Sequence, residues 1–262
     1  MAATEAHKLR LERLSLADGA CTVARIVLDA GKGNVIDLAA IGELRAAVGE
    51  IRGDRPHAIL IDHEGSHFSF GASVDDHRPE TAPTMLADLH AMAREILDLD
   101  VPVLASVRGM CLGGGLELAL LADRIFAAPG AQFGQPEIVL GVFAPIGSAL
   151  LPRVIGARRA ADLLVSGRRI DAETALDWGL VGEIADDPSA AMMTWAQEHL
   201  GNKSRSSLRF ATRAARATWQ DAFCSDLAAL EARYVGELME THDAREGIEA
   251  FLEKRKPTWE DR

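Results

Sequence analysis

The stretch that most constrains this chain is Gly113-Gly114-Gly115. It lies between Val101-Pro-Val-Leu-Ala-Ser-Val107, an apolar run of strand type, and Leu116 to Asp123, an Ala/Leu run of helix type. Glycine admits backbone angles closed to other residues and lets a ligand come close to the main chain. The first amides of a helix have no partner within it and face whatever lies ahead. A strand-to-helix turn of this composition suits a negatively charged oxygen. Glu117 follows Gly114 by about one helical turn, so its carboxylate faces roughly the same space. Taken alone, the run equally describes a tight turn whose glycines only let helix and strand pack closely. It is not a phosphate loop, because no Gly-Lys-Ser/Thr follows it.

The rest of the chain alternates between two periods. Leu9 to Leu16 alternates loosely, Cys21 to Leu28 is rich in β-branched residues, and Asp18-Gly19 between them signals a hairpin. Asp37 predicts a cap for a helix carrying Leu38, Ile41, Leu44, Val48 and Ile51 on one face. His57 to Asp62 reads as a buried strand, 65–77 as irregular, and Met85, Leu89, Met92 and Ile96 as one face of a helix. After the glycine turn and its helix, Arg124 to Ala128 reads as a further strand. This order predicts an α/β core with parallel strands, in which ligands gather at the carboxyl ends of strands. Both 65–77 and the glycine turn follow strands and belong at that edge. Beyond Gly156 the spacing predicts helices over 158–165, 171–178, 187–200, 204–217, 220–240 and 243–253, the last opened by a capping box at Asp243 and Glu246. Arg153, Arg158, Arg159, Arg168 and Arg169 form a basic cluster, read as a solvated helix face or as contact with an anionic ligand.

Composition excludes several functions. A formal net charge of −11 over 262 residues disfavours nucleic acid, whose binding runs on Lys and Arg neutralising phosphates. No apolar run reaches the ~18 residues of a membrane span. The segment from Met1 to Lys8 lacks the apolar core of a signal peptide, so a cytoplasmic protein is expected. Cys21, Cys111 and Cys224 are odd in number and widely spaced, which suggests neither a disulfide framework nor a zinc site. No metal is expected, and each cysteine reads as a small packing residue.

Chemistry converges on four features: Phe70-Gly71-Ala72-Ser73 after one strand, the glycine turn after another, and Glu117 and Glu137, each beside a glycine-containing loop. Two backbone amides from separate strand ends could hold one carbonyl oxygen as an oxyanion hole. A paired acid and base could then move protons or activate water beside it.

Phe70-Gly71-Ala72, Leu112-Gly-Gly-Gly-Leu-Glu117, Phe133-Gly-Gln-Pro-Glu137 and the C-terminal Phe251-Leu-Glu-Lys-Arg-Lys256 together resemble the enoyl-CoA hydratase/isomerase (crotonase) superfamily, over nearly the whole chain. The resemblance implies a crotonase-like fold of repeated ββα units. Residues 1–200 would form the core and active site, and 201–262 a helical region for trimerisation and acyl-CoA cover. It implies oxyanion-hole amides at Ala72 and Gly114 and catalytic carboxylates at Glu117 and Glu137. It implies acyl-CoA contact at Ser73, Val74 and Asp75, nucleotide contact near Lys32 and Val35, and phosphate contact at Lys254 or Lys256. Because both glutamates are present, a hydratase is implied more than an isomerase or decarboxylase. The thioester is then the substrate, no cofactor is needed, and the assembly is a homotrimer or a homohexamer of paired trimers.

Within the superfamily, His67 to His77, Arg108 to Glu117, Gly141-Val-Phe-Ala-Pro145 and Ser206 to Arg213 resemble members that hydrate a ring dienoyl-CoA in anaerobic benzoyl-CoA degradation. That implies 1,4-addition of water to cyclohexa-1,5-diene-1-carbonyl-CoA, giving 6-hydroxycyclohex-1-ene-1-carbonyl-CoA. Two departures from the usual hydratase pattern fit a differently shaped acyl group. Ser73 stands where Asp is usual, and Ala144-Pro-Ile-Gly-Ser148 replaces a Pro-Gly-x-Gly-Gly-Thr-like run. Phe143 and Ala144 would meet the ring, although Phe143 also reads as a plain core aromatic. His77 and His67 flank the Ala72 loop, either touching substrate or lying on the surface. Two other readings remain: a short-chain 2-enoyl-CoA hydratase, and a non-catalytic acyl-CoA-binding member.

Overall fold

A computed structural model describes residues 7–16 and 19–262. Met1 to Ala6, and Asp18 of the expected hairpin turn, lie outside the described residues. Strand β1 (Leu9–Leu16) pairs antiparallel with β2 (Cys21–Leu28), in register from Leu9 opposite Leu28 to Leu16 opposite Cys21. From β2 the main sheet continues in parallel through β3 (Ala58–His63), β4 (Val103–Val107), β6 (Arg124–Ala127) and β9 (Glu183–Ile184). Every residue of β3 and β4 is buried, as strands covered on both faces require.

The two faces carry different cores. Leu60, Leu104 and Phe126 point to helix α7 (Pro188–Leu200), where they meet Met192 and Ala196. Their neighbours Ile59, Ile61, Val103 and Ile125 point the other way, into the main core. That alternation is the two-residue period of an extended chain. The main core is closed by α1 (Leu38–Asp54) and α2 (Ala82–Leu97). Asp37 caps α1 as expected, its carboxylate accepting the Ala40 amide at 2.8 Å, and Met85, Leu89, Met92 and Ile96 are all buried.

Several expectations are corrected. The chain does not run straight from β4 into the glycine turn. Arg108-Gly109 redirects it, with Gly109 at φ +60°, into a short strand β5 (Met110–Leu112) of a second sheet. There β5 lies parallel to β7 (Gln132–Gly134), and β7 lies antiparallel to β8 (Arg169–Asp171). A helix not foreseen, α4 (Pro145–Ile155), follows Ala144; proline at its first position costs nothing, since that amide has no helical partner.

Helices α5 (Ala157–Ser166), α6 (Ala172–Asp177), α7 and α8 (Arg205–Arg216) lie where the spacing predicts. Helix α9 (Gln220–Gly236) ends earlier than expected, in a separate 3-10 turn at Leu238–Glu240. Helix α10 (His242–Leu252) is capped by Thr241, not by a box from Asp243. Asp243 instead accepts the amides of Glu260 and Asp261, and Glu246 pairs with Arg255 and the Thr258 amide, so both carboxylates tie down the C-terminal tail. The basic cluster is largely spent on carboxylates: Arg153 on Asp226, Arg159 on Asp177 and Arg168 on Asp162. Among the described residues no helix is long and apolar enough to cross a membrane.

Asp62, at the end of β3, is fully buried and fully occupied. It accepts from Arg25 Nη2 at 2.6 Å, the His63 amide at 2.8 Å, and the hydroxyls of Ser106 and Ser189. Burial acts to raise its pKa, but these hydrogen bonds outweigh it and hold the carboxyl below its ordinary value. Asp62→Ala should therefore lower stability by about 3–5 kcal/mol, because Arg25 and both serines lose their common partner. Thermal unfolding followed by circular dichroism checks this, and a melting temperature equal to the parent's would contradict it.

Candidate active site

The second sheet sets the site. In the parallel register of β5 and β7, Leu112 faces Gly134, and the Gly113 amide donates to the Gly134 carbonyl at 3.0 Å. The residues just beyond the two strand ends are thereby forced together: the glycine turn on one side, Gln135 and Glu137 on the other. Gly113 sits at φ +51°, ψ −130°, and a Cβ there would lie 2.6 Å from a Glu137 carboxylate oxygen. Only glycine satisfies both the backbone and the space.

The loop after β3 supplies the other half. Ser69 bridges to Cys111 beside β5, and Ala72 bridges in parallel to Ile36. In that second bridge the Gly71 carbonyl accepts from Ile36 and the Ser73 amide donates to Ile36. The Ala72 amide between them must point the opposite way, toward α3 (Gly114–Ala119). A Cβ at Gly114 would come within 3.0 Å of the Ala72 nitrogen, and one at Gly71 within 3.4 Å of the Gly114 nitrogen. The Gly114 amide opens its helix and has no carbonyl one turn back. Neither amide donates a hydrogen bond among the described residues. Two unspent donors from distant loops thus lie side by side, an arrangement suited to one carbonyl oxygen.

The two glutamates flank them. Glu117, 3% exposed, accepts from the Gly147 amide at 2.8 Å, so the N-terminus of α4 is held by a carboxylate from another helix. Burial raises its pKa, and the amides of Gly147 and Ile146 offset that only in part. Glu137 is half-buried and lines the same cleft as Glu117. Burial first, and then the charge of Glu117, push its pKa up. The two titrate as a pair and share protons across the neutral range. With its nitrogen turned to the carboxylate, the Gln135 amide donates to both Glu137 oxygens at 3.1 Å.

All four groups line one cleft, closed by Leu86, Leu89, Leu140, Phe143 and Tyr234. Of the expected acyl contacts, Val74, His77, Phe143 and Ala144 line it. His77 Nδ1 lies 2.7 Å from the Ser73 carbonyl, which can only accept, so Nδ1 carries the proton. Burial lowers its pKa, leaving a neutral ring with Nε2 as an acceptor.

Ser73 and Asp75 lie off the cleft wall. The Ser73 main chain bonds Ile36 and His77, and Asp75 is exposed and paired with Arg78. Lys32, Lys254 and Lys256 are exposed and Val35 half-buried, and none lines the cleft. His67 is also spent structurally, its Nδ1 accepting the Met110 amide at 3.2 Å. Burial raises the Cys111 thiol well above its ordinary value, which makes it a packing residue. Among the described residues no three His, Cys, Asp or Glu are placed to hold a metal ion.

The sequence reading missed Gln135, the Gly147 amide and Tyr234. Gln135 stood inside a recognised motif. Gly147 needed the unforeseen α4. Tyr234 is the chain's single tyrosine and lies about a hundred residues from Glu137, with no local pattern to flag it.

Fold and site define an α/β protein whose cleft can grip an acyl oxygen beside a buried acid pair. The chain belongs to the enoyl-CoA hydratase/isomerase family, which matches residues 18–262. It is 50% identical over 256 residues, 97% of each chain, to cyclohexa-1,5-dienecarbonyl-CoA hydratase of Thauera aromatica. It is 34% identical to a probable enoyl-CoA hydratase of Mycobacterium tuberculosis, over 87% of this chain and 90% of that one. An enoyl-CoA hydratase from Mycobacterium avium superposes with a TM-score of 0.82 at 28% identity, over 95% of this chain and 98% of that one.

The raised pKa of the pair has a cost in stability. Unfolded carboxyls release their protons near pH ~4.3, whereas the folded pair holds them to higher pH. Stability is thus full below that value and falls as pH rises through the neutral range. Glu137→Gln removes one of these groups and should raise the melting temperature near pH 8, about 2–4 °C for each kcal/mol relieved. The difference should vanish near pH 4. Calorimetry at both values checks it; an equal shift at both would refute the buried-charge origin.

Proposed function

We propose that this chain is a hydro-lyase that adds water across the conjugated diene of cyclohexa-1,5-diene-1-carbonyl-CoA, giving 6-hydroxycyclohex-1-ene-1-carbonyl-CoA. The observation that carries the reading is the 50% identity, over nearly the full length, to a relative bearing that substrate's name. The cleft gives it a mechanism. The thioester oxygen lies between the amides of Ala72 and Gly114, which drain electron density from the diene. A water between Glu117 and Glu137 attacks the β-carbon and gives up a proton to the carboxylate pair. The electrons move onto the thioester oxygen, where the two amides hold the developing charge. The extended enolate collapses by taking a proton at the far end of the diene, so one water is added overall. A carboxyl pair that shares a proton at neutral pH can accept and return it in one cycle.

No cofactor enters this scheme, and CoA arrives as part of the substrate. The exposed Phe210 of α8 and Val165 of α5 support a reading in which copies of this chain associate as a trimer or paired trimers; a cytoplasmic setting is part of the same proposal.

A competing reading is a hydratase of short linear 2-enoyl thioesters; relatives at 34% identity are named as probable enoyl-CoA hydratases. Turnover of the ring dienoyl thioester and of crotonyl-CoA separates the two, with product detected by mass spectrometry as one added water. We expect kcat/KM to favour the ring substrate; a preference for crotonyl-CoA would overturn the proposal. Glu117→Gln and Glu137→Gln should each lower kcat by about 10²–10⁴-fold, the usual worth of a positioned acid or base. Near-parental turnover in both would remove their roles.

A further inference from the structure

Tyr234 is fully buried on α9, yet its hydroxyl has no hydrogen-bond partner among the described residues. A phenol can be both donor and acceptor, and leaving it buried and unsatisfied costs about as much as losing a hydrogen bond. Folds seldom keep such a group without a use for it. Its position points to the use. The ring lines the same cleft as both glutamates and both oxyanion amides. It is held in place edge-on by Phe143, with ring centroids 5.2 Å apart and planes at 61°. Burial, and after it the charges of Glu137 and Glu117, keep the phenol protonated. Neither carboxylate is hydrogen-bonded to it. Tyr234, Glu117 and Glu137 therefore border one cleft, and no hydrogen bond among the described residues occupies the phenol.

We propose that Tyr234 is a substrate-contacting residue whose hydroxyl hydrogen-bonds the oxygen that is added to the acyl ring, as the attacking water and then as the product hydroxyl. This rests on the hydratase reading above and deepens it, because it names the part of the ligand that the orphaned phenol recognises. The thioester oxygen is held at the amides. The added oxygen, on the β-carbon beside the thioester-bearing carbon, is then held by Glu117, Glu137 and Tyr234 together. The contact favours a β-hydroxy acyl thioester over the same thioester without its hydroxyl. Because α9 reaches the cleft only through the fold, the C-terminal helices complete the site as well as covering it.

Tyr234→Phe removes the hydroxyl alone and keeps the ring against Phe143. Isothermal titration would compare parent and variant with 6-hydroxycyclohex-1-ene-1-carbonyl-CoA and with cyclohex-1-ene-1-carbonyl-CoA, which lacks the hydroxyl. We expect the variant to bind the hydroxylated thioester about tenfold more weakly, the worth of one hydrogen bond, and the other thioester as before. Its melting temperature should equal or exceed the parent's, since a buried unsatisfied group has gone. Unchanged binding of both thioesters, or equal weakening of both, would overturn the proposal, the latter by exposing a packing role. If the parent neither hydrates the ring dienoyl thioester nor distinguishes the two ligands, the hydratase reading itself fails. If the parent does both and the variant matches it, only the role of Tyr234 falls.

Discussion

The parallel pairing of Met110–Leu112 with Gln132–Gly134 is the constraint on which the site depends. It sets Leu112 opposite Gly134, and so delivers the glycine turn and Glu137 to the same place from strands more than twenty residues apart. A slip of one residue would turn every side chain on the strand to its other face and move the Gly113 amide off the Gly134 carbonyl. The antiparallel partner β8 and the bridge from Ser69 to Cys111 lock that register from both sides. The Ala72 amide depends on it as well. Its direction is set by Ile36 behind it, but its distance from Gly114 is set by the strand that carries the glycine turn.

Two buried carboxylate systems in this molecule behave in opposite ways, and the difference separates structure from chemistry. Asp62 is sealed in the main sheet with a guanidinium, two hydroxyls and an amide, and is held ionised. Glu117 is buried and Glu137 half-buried, and they have one another for company, a few amide donors and no cation. Burial and mutual repulsion keep protons on them into the neutral range. A fold selected only for stability would satisfy them as it satisfies Asp62. Leaving them short of partners keeps a proton available where the cleft opens.

Helix α4 links these two themes. Its first turn has no side-chain cap of its own, and Glu117 supplies the missing acceptor from α3. The segment 144–148, where the sequence departs from the usual hydratase pattern, is therefore no free loop. It is the start of a helix that holds one glutamate and lines the cleft through Ala144 and Pro145. Changes there bear on the acyl pocket and on the position of Glu117 at once.

The sequence by itself determined the elements and much of the chemistry. Alternation and 3.6-residue spacing placed β1 to β4, β6 and most helices, but not the short strands β7, β8 and β9, and Asp37 marked the start of α1. The glycine turn, Phe70-Gly71-Ala72 and the two glutamates were legible because each needs particular residue types at short, fixed separations. Tertiary structure decided what depends on long-range pairing. It inserted β5, whose three residues are too few to show a period, and it built α4 behind a proline and a glycine that read as loop. It spent Asp243, Glu246 and His67 on structural bonds no local spacing reveals. It also brought Tyr234 from the far end of the chain into the cleft, because helix packing joins residues by the faces they bury and not by their distance in sequence.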